Sequence, residues 1–244
     1  MDDLDNSYSD PWVLAYREME ASPGRAYVKR ANRRGSSLNV FLGNARDLIE
    51  IDRCIRDPKE GPRLWHVDRR EEFSQTQQEV GRLLHNFVAA SKTLIDHTRN
   101  FVRKNYSGTP IADLYYQRVT SEFAELPVGH FVCDLRNYVV HRDLPASTIF
   151  FACQRNKDDP QEWEAPRMGV RYDTGPLLDW DRWTAPAKRY IEDAGEHVTV
   201  HVFTQDYVQR VLRFHNWLSE ELDRFHREDL VNLQRLEARL GSLG

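Results

Sequence analysis

The stretch SQTQQEVGRLLHNFVAASKTLIDHTRNFVRKNY, Ser74 to Tyr106, decides the fold class, because its apolar residues recur every three or four positions. That spacing puts them on one face of an α-helix. The face comprises Leu84, Phe87, Val88, Ser91, Leu94, Ile95, Thr98, Phe101 and Val102. The turn formers Ser107 to Pro110 then end the helix. We therefore expect a mainly α protein.

Other segments extend this pattern in both directions. Helical spacing is found at Ser37–Ile55, Ile111–Glu125, Pro127–Asp143, Gln205–His226 and Leu230–Leu240. Strand-like runs occur at Ser147–Cys153 and Arg167–Asp173, joined by the polar loop QRNKDDPQEWEAP, and again in HVTVHVF, His197–Phe203. The sequence predicts a helical bundle with a small β insertion at about 147–203. Residues 1–73 are expected to form an N-terminal arm and a helix packed on the bundle, and residues 74–244 the helical domain.

Composition and charge limit the class of protein. The chain has 244 residues, 40% of them hydrophobic and 30% charged, with a net charge of −4, which is ordinary for a globular protein. The N-terminal MDDLDNSYSD is acidic where a secretory signal would be basic and then apolar, so a cytoplasmic, non-membrane protein is expected. The net charge argues against indiscriminate nucleic-acid binding but allows a local basic face, such as Arg25–Arg34.

The cysteines Cys54, Cys133 and Cys153 are isolated in the sequence. An odd number without CxxC spacing argues against a disulfide framework and a cysteine zinc site. We expect three buried thiols, because free cysteine is among the most buried residue types. No metal and no cofactor are expected.

The segment LRNYVVHRDLP, Leu135 to Pro145, allows two incompatible interpretations of His141. HRDL matches the catalytic loop of a protein kinase, but Thr148 stands where a kinase places its magnesium-binding asparagine. No DFG follows, and no glycine-rich phosphate loop precedes the segment. The kinase interpretation is therefore rejected, and HRDL is expected to end a helix before Pro145.

The first half, RNYVVH, resembles the Arg-x4-6-His motif of the HEPN superfamily, which includes toxin ribonucleases and antiviral effectors. The resemblance rests on Arg136, Asn137 and His141, with the motif on a helix between longer helices. It implies an endoribonuclease with these three residues as the catalytic set. It also implies a homodimer in which two motif helices meet across a two-fold axis, so that Tyr138 and Arg142 would lie at or near the interface.

The positions of Arg136, Asn137 and His141 on a helix, and the chemistry of their side chains, are compatible with RNA cleavage. Residues five apart on a helix are separated by about 140°, so Arg136 and His141 do not share a face, whereas Asn137 and His141 do. His141 falls in the last helical turn, where the dipole favours an imidazolium that can donate a proton, and Arg136 can stabilise charge on a phosphate. Such chemistry requires a 2′-hydroxyl and no metal, so RNA is the expected substrate.

Several alternatives stay open. Arg136 and His141 could instead form salt bridges with Asp134 or Asp143. Lys92, Arg99 and Arg103, which continue a stripe that begins at His85, are candidates with Arg142 for RNA binding, although such a stripe is also typical of a solvated helix face. The alternative function is a catalytically inactive HEPN-like module that binds RNA or protein. An antitoxin or regulatory partner would be compatible with either function.

Overall fold

A computed structural model of the chain describes residues 10–123, 126–155, 161 and 167–243. Within these ranges the protein is mainly α with a small three-stranded antiparallel sheet, which confirms the predicted fold class. The helices are α1 (Pro11–Ala21), α2 (Pro23–Arg56), α3 (Arg70–Tyr106), α4 (Pro110–Phe123), α5 (Pro127–His141), α6 (Thr174–Leu178), α7 (Ala185–Asp193), α8 (Val200–Phe225) and α9 (Arg227–Gly241). The strands are β1 (Ser147–Ala152), β2 (Arg167–Asp173) and β3 (His197–Thr199). Of the predicted N-terminal arm, residues 1–9 lie outside the described residues, and so does most of the loop QRNKDDPQEWEAP. The expectation of an arm is wrong for Pro11–Ala21, which form α1 behind the cap of Asp10 on the Trp12 amide.

Helices α2 and α3 pack against each other and form the long axis of the bundle. With 34 and 37 residues, they extend about 50 and 55 Å. The predicted apolar stripe of α3 faces the core, with Leu84, Phe87 and Val102 buried completely. Helix α2 starts at Pro23 rather than at Ser37, because the Ser22 hydroxyl accepts a hydrogen bond from the Arg25 amide at 3.2 Å and Pro23 occupies the first helical position. The basic stretch Arg25–Arg34 is therefore helical.

The sheet is regular but its last strand is shorter than predicted. Register partners include Ser147 with Tyr172 in β1 and β2, and Arg171 with Thr199 in β2 and β3. The run HVTVHVF was predicted as one strand, but Val200 starts α8. In a continuing strand Val200 and Val202 would point to the same face, and both would be buried. In the structure Val200 and Phe203 are buried and Val202 is exposed. A spacing of three between buried residues is typical of a helix.

The expectation of three buried thiols is wrong for two of the cysteines. Cys54 and Cys153 are exposed, and only Cys133 is partly covered. Cys54 lies on the outer side of α2, where the neighbouring Ile55 and Asp52 take the buried positions. Helical phase therefore outweighs the general preference of cysteine for the interior.

Asp52 connects the helical bundle to the sheet. Its side chain is fully buried, and Oδ1 accepts a hydrogen bond from the Val170 amide of β2 at 3.1 Å. Oδ2 accepts from Arg56 Nε at 2.7 Å and lies 3.8 Å from His201 Nδ1 at the start of α8. One carboxylate thus holds α2, β2 and α8 in register, and its removal would leave buried donors without an acceptor.

We predict that Asp52→Ala lowers the free energy of unfolding by about 3 kcal/mol, because the Val170 amide and the Arg56 guanidinium lose their acceptor. Asp47→Ala is the matched control on the same helix. Its carboxylate is 54% exposed and 3.8 Å from Arg46, so the expected loss is below about 0.5 kcal/mol. Urea denaturation measures both variants, and equal losses would show that Asp52 is not a structural anchor.

Candidate active site on helix α5

Helix α5 carries the motif and is buried along one side. Pro127 occupies its first position, and it ends at His141, before Pro145. The buried side consists of Val128, Phe131, Val132, Leu135 and Tyr138, and it packs against α3, α7 and α8. The position and rotation of the motif helix are therefore set by the core.

A buried carboxylate on α5 fixes its contact with α7. Asp134 Oδ2 accepts hydrogen bonds from the Thr184 amide at 2.8 Å and the Thr184 hydroxyl at 2.7 Å. Thr184 is the residue before the first turn of α7, so the negative charge also lies at the positive end of that helix dipole. Asp134 is thereby committed to a structural role in this fold.

Aromatic rings reinforce the same contact. The ring of Tyr138 lies 5.7 Å from Trp183, stacked, and 5.4 Å from Trp180, edge to face. Trp183 also stacks on Phe131 at 5.8 Å and donates its indole N–H to the Leu177 carbonyl at 2.7 Å. Tyr138, which was expected at or near a dimer interface, is therefore buried within its own protomer.

The three motif residues lie on the side of α5 that the core leaves uncovered. Arg136 and Asn137 are half-buried, and His141 is exposed. Arg136 Nη1 donates a hydrogen bond to Asn137 Oδ1 at 3.3 Å. Within the described ranges no hydrogen bond joins His141 to either residue, as expected from the helical angle between them. One protomer thus pairs the arginine with the asparagine but leaves the histidine side chain available.

The salt bridges considered as the structural alternative are not formed in the described part of the chain. Asp134 is bonded to Thr184, and Asp143 accepts a hydrogen bond from the Leu144 amide at 2.7 Å. The guanidinium of Arg142 lies over the Tyr138 ring, 5.3 Å from its centroid. A structural salt bridge therefore does not explain the presence of Arg136 and His141.

The predicted RNA-binding stripe on α3 is partly neutralised by its own helix. Asp96 forms an ion pair with Lys92 at 2.6 Å and lies 3.8 Å from Arg99. Arg103 donates to Asn100 Oδ1 at 3.0 Å. These side chains are accessible, but the structure does not bring Lys92, Arg99 and Arg103 into contact with the motif residues. This geometry favours a solvated helix face over a continuous phosphate track.

His85, at the head of that stripe, borders the motif end of α5. It lines an open hollow of about 680 Å³ together with the segment Leu144–Ser147, which follows His141 closely in the chain. Leu144 contacts the Gly81 turn of α3, and Gln77 donates to the Ser147 carbonyl at 3.1 Å. The spacing of seven residues between His85 and Lys92 indicated that they share a face of α3. Only the packing of α3 against Leu144–Ser147 shows that His85 lies beside this segment.

A separate apolar cavity of about 380 Å³ lies at the other end of α5. Its lining includes Cys133, Arg99, Tyr207 and His215. The Tyr207 hydroxyl pairs with Ser91 at 2.6 Å, and burial raises the pKa of both Tyr207 and Cys133. Burial, together with the nearby Arg34, lowers the pKa of His215 to about 4. Cys133, Tyr207 and His215 are therefore uncharged at neutral pH, and the interior of this cavity favours apolar contents.

We predict that His215 makes the protein less stable in mild acid. Its folded-state pKa lies below the ordinary value of 6.5, so the unfolded chain takes up the proton first, and stability is lost as pH falls from 6.5 towards 4. Between about pH 7 and about pH 5 the loss is about 2 kcal/mol. His215→Gln should reduce this pH dependence in urea denaturation, and the exposed His66→Gln should not. An unchanged pH dependence in His215→Gln would contradict the prediction.

No group of three or more histidine, cysteine, aspartate or glutamate side chains in the described ranges is placed to hold a metal ion. None of the described helices is both long and apolar enough to cross a membrane. Comparisons of the chain with models of protein families, with curated proteins and with solved structures find no match.

Proposed function

We propose that the protein is a metal-independent endoribonuclease of the HEPN type, with Arg136, Asn137 and His141 as its catalytic set. One observation carries the proposal: His141 is exposed at the C-terminal end of a helix whose rotation is fixed by buried contacts. Arg136 and Asn137 lie on the same helix, and Asp134 and Asp143 are bonded elsewhere. The six-residue resemblance supplies the reaction type, and the geometry supports it by leaving the histidine accessible.

The reaction requires one proton to be removed and another to be supplied. A base takes the proton of the RNA 2′-hydroxyl, and O2′ then attacks the adjacent phosphorus to give a 2′,3′-cyclic phosphate. The P–O5′ bond breaks, and the leaving 5′-oxygen receives a proton from an acid. His141 can serve as base when neutral or as acid when protonated, and Arg136 stabilises the charge on the phosphoryl oxygens. Asn137 orients the guanidinium through its hydrogen bond.

A homodimer would supply the second proton-transfer group. Each protomer has one motif, and a two-fold axis beside His141 would bring two motifs into one cleft. Val140 and Leu144, on either side of His141 in the sequence, are 48% and 45% exposed although both are apolar. Burying these side chains against their counterparts would favour association through this end of α5.

We predict that the protein cleaves single-stranded RNA but not DNA in the presence of EDTA, leaving cyclic phosphate ends. His141→Ala and Arg136→Ala should each lower the rate at least about 100-fold, because each removes a group that acts on the reacting phosphate. His66→Ala is the control for loss of an exposed histidine, and it should retain activity.

Gel analysis of labelled RNA decides between the two functions. RNA that stays intact with the wild-type protein but is bound by it would contradict the nuclease proposal and favour the inactive binding module. Cleavage that persists in His141→Ala would exclude this motif as the active site.

We also predict that the double substitution Val140→Glu and Leu144→Glu converts a dimer into a monomer and lowers RNA cleavage at least about tenfold, because like charges replace the apolar contact. Light scattering measures the mass. Val202→Glu, at an exposed valine on α8, is the control and should stay dimeric. A wild-type protein that is monomeric and still cleaves RNA would overturn the shared cleft. If His85→Ala then abolished cleavage by that monomer, His85 of the same protomer would be the second proton-transfer group.

A further inference from the structure

A second candidate site lies between α2 and α3. Here a groove of about 570 Å³ runs between the stretch Ala26–Ser37 and the stretch His97–Asn105. Its centre, near Phe101, is about 24 Å along α3 from His85. The groove is therefore distinct from the hollow that His85 lines.

The walls of the groove are strongly cationic. Five basic side chains line it: Lys29, Arg30, Arg33, Arg34 and Lys104. No carboxylate lines it among the described residues. Of these five only Lys29 has an ion pair within the described ranges, with Glu20 at 2.5 Å. The local positive charge contrasts with the net charge of −4 of the whole chain, so it is a feature of this surface.

One of the arginines, Arg34, is held in place before any ligand arrives. Arg34 donates to Ser219 Oγ at 2.7 Å and lies over the Phe101 ring, 5.9 Å from its centroid. The Nε atoms of Arg30 and Arg34 are buried and have no hydrogen-bond partner. Burial lowers the pKa of Arg34, which indicates that its positive charge is incompletely compensated by the protein. An anion in the groove would offset that cost.

A buried neutral donor adds to this arrangement. Thr98 is only 3% exposed and its hydroxyl has no hydrogen-bond partner. The residue lies between the groove and the apolar cavity and lines both. A buried hydroxyl without a partner is costly, so such groups in native proteins often mark the position of a ligand atom or a water. Arg33 and Lys104, by contrast, are exposed at the rim, where they can move to meet a ligand.

We infer that this groove binds a phosphate-bearing anion, either the polyphosphate chain of a nucleotide or the backbone of an RNA strand. Guanidinium groups match phosphate oxygens in pairs and ammonium groups act as point charges, and both kinds are present. The half-buried ring of Phe101 offers an apolar surface beside them. The inference depends on the charges and the unpaired donors, and it stands whether or not the motif on α5 cleaves RNA.

The test measures binding of two probes to the purified full chain. One probe is inorganic tripolyphosphate, followed by calorimetry. The other is a labelled 2′-O-methyl RNA of about 12 nucleotides, a length within the range that single-strand grooves cover, followed by fluorescence anisotropy. Because the methylated RNA lacks a free 2′-hydroxyl, it cannot be cleaved by the proposed reaction, and failure of the nuclease proposal leaves this test intact.

The decisive variant is Arg33→Glu with Lys104→Glu, at the two exposed rim positions. It should weaken binding of at least one probe about tenfold or more and reduce the salt dependence measured between about 50 and about 200 mM salt, because fewer counterions are released. Arg46→Glu with Lys188→Glu is the matched control: it changes the net charge equally at exposed side chains outside the groove. It should weaken binding less than about threefold. Thermal denaturation checks that both variants are folded.

The two probes distinguish the sources of phosphate. Tight binding of tripolyphosphate would assign the groove to a small polyphosphate ligand, and binding of RNA alone would assign it to a nucleic-acid strand. Equal losses in the groove and control variants, or no binding of either probe to the wild-type protein at millimolar concentration, would overturn the inference.

Discussion

The hydrogen bonds from Thr184 to the buried carboxylate of Asp134 are the constraint on which the candidate active site depends. They fix α5 to the start of α7, and the stacked rings of Phe131, Tyr138 and Trp183 exclude water from the same contact. Because a helix is rigid, fixing one face fixes the other. Arg136 and His141 are thus held at a set rotation relative to the core, although neither forms a hydrogen bond or an ion pair with α7 in the described structure.

Helix α3 serves two surfaces with different chemistry. Its first half supports the motif end of α5 and carries His85, and its second half forms one wall of the cationic groove. Its outer stripe is partly neutralised by Asp96, which engages Lys92 and Arg99. The groove concentrates positive charge more strongly, since basic side chains from α2 and α3 lie together there and the described lining contains no acid.

Helices α3 and α5 could be predicted because their apolar residues repeat with the helical period, and Pro110 and Pro127 mark neighbouring helix boundaries. The strand Arg167–Asp173 could be predicted as a short run bounded by polar residues. The prediction was wrong at Val200, where a short alternating run fits both periods, and only burial of Phe203 against the bundle selects the helix. It also missed the first part of α2, because the polar run Arg25–Arg34 has little apolar periodicity to reveal it.

The sequence alone determined which polar residues each helix carries, including the Arg136–His141 spacing and the basic run in α2. Tertiary structure decided what those residues face. In the folded chain Asp134 accepts a hydrogen bond from Thr184, and Tyr138 is buried. Arg33 and Lys104, about 70 residues apart in the chain, line the same groove. The physical reason is that helical period fixes a side chain's direction only relative to its own axis. The rotation of that axis, and therefore the neighbours the side chain meets, is set by packing against elements distant in the sequence.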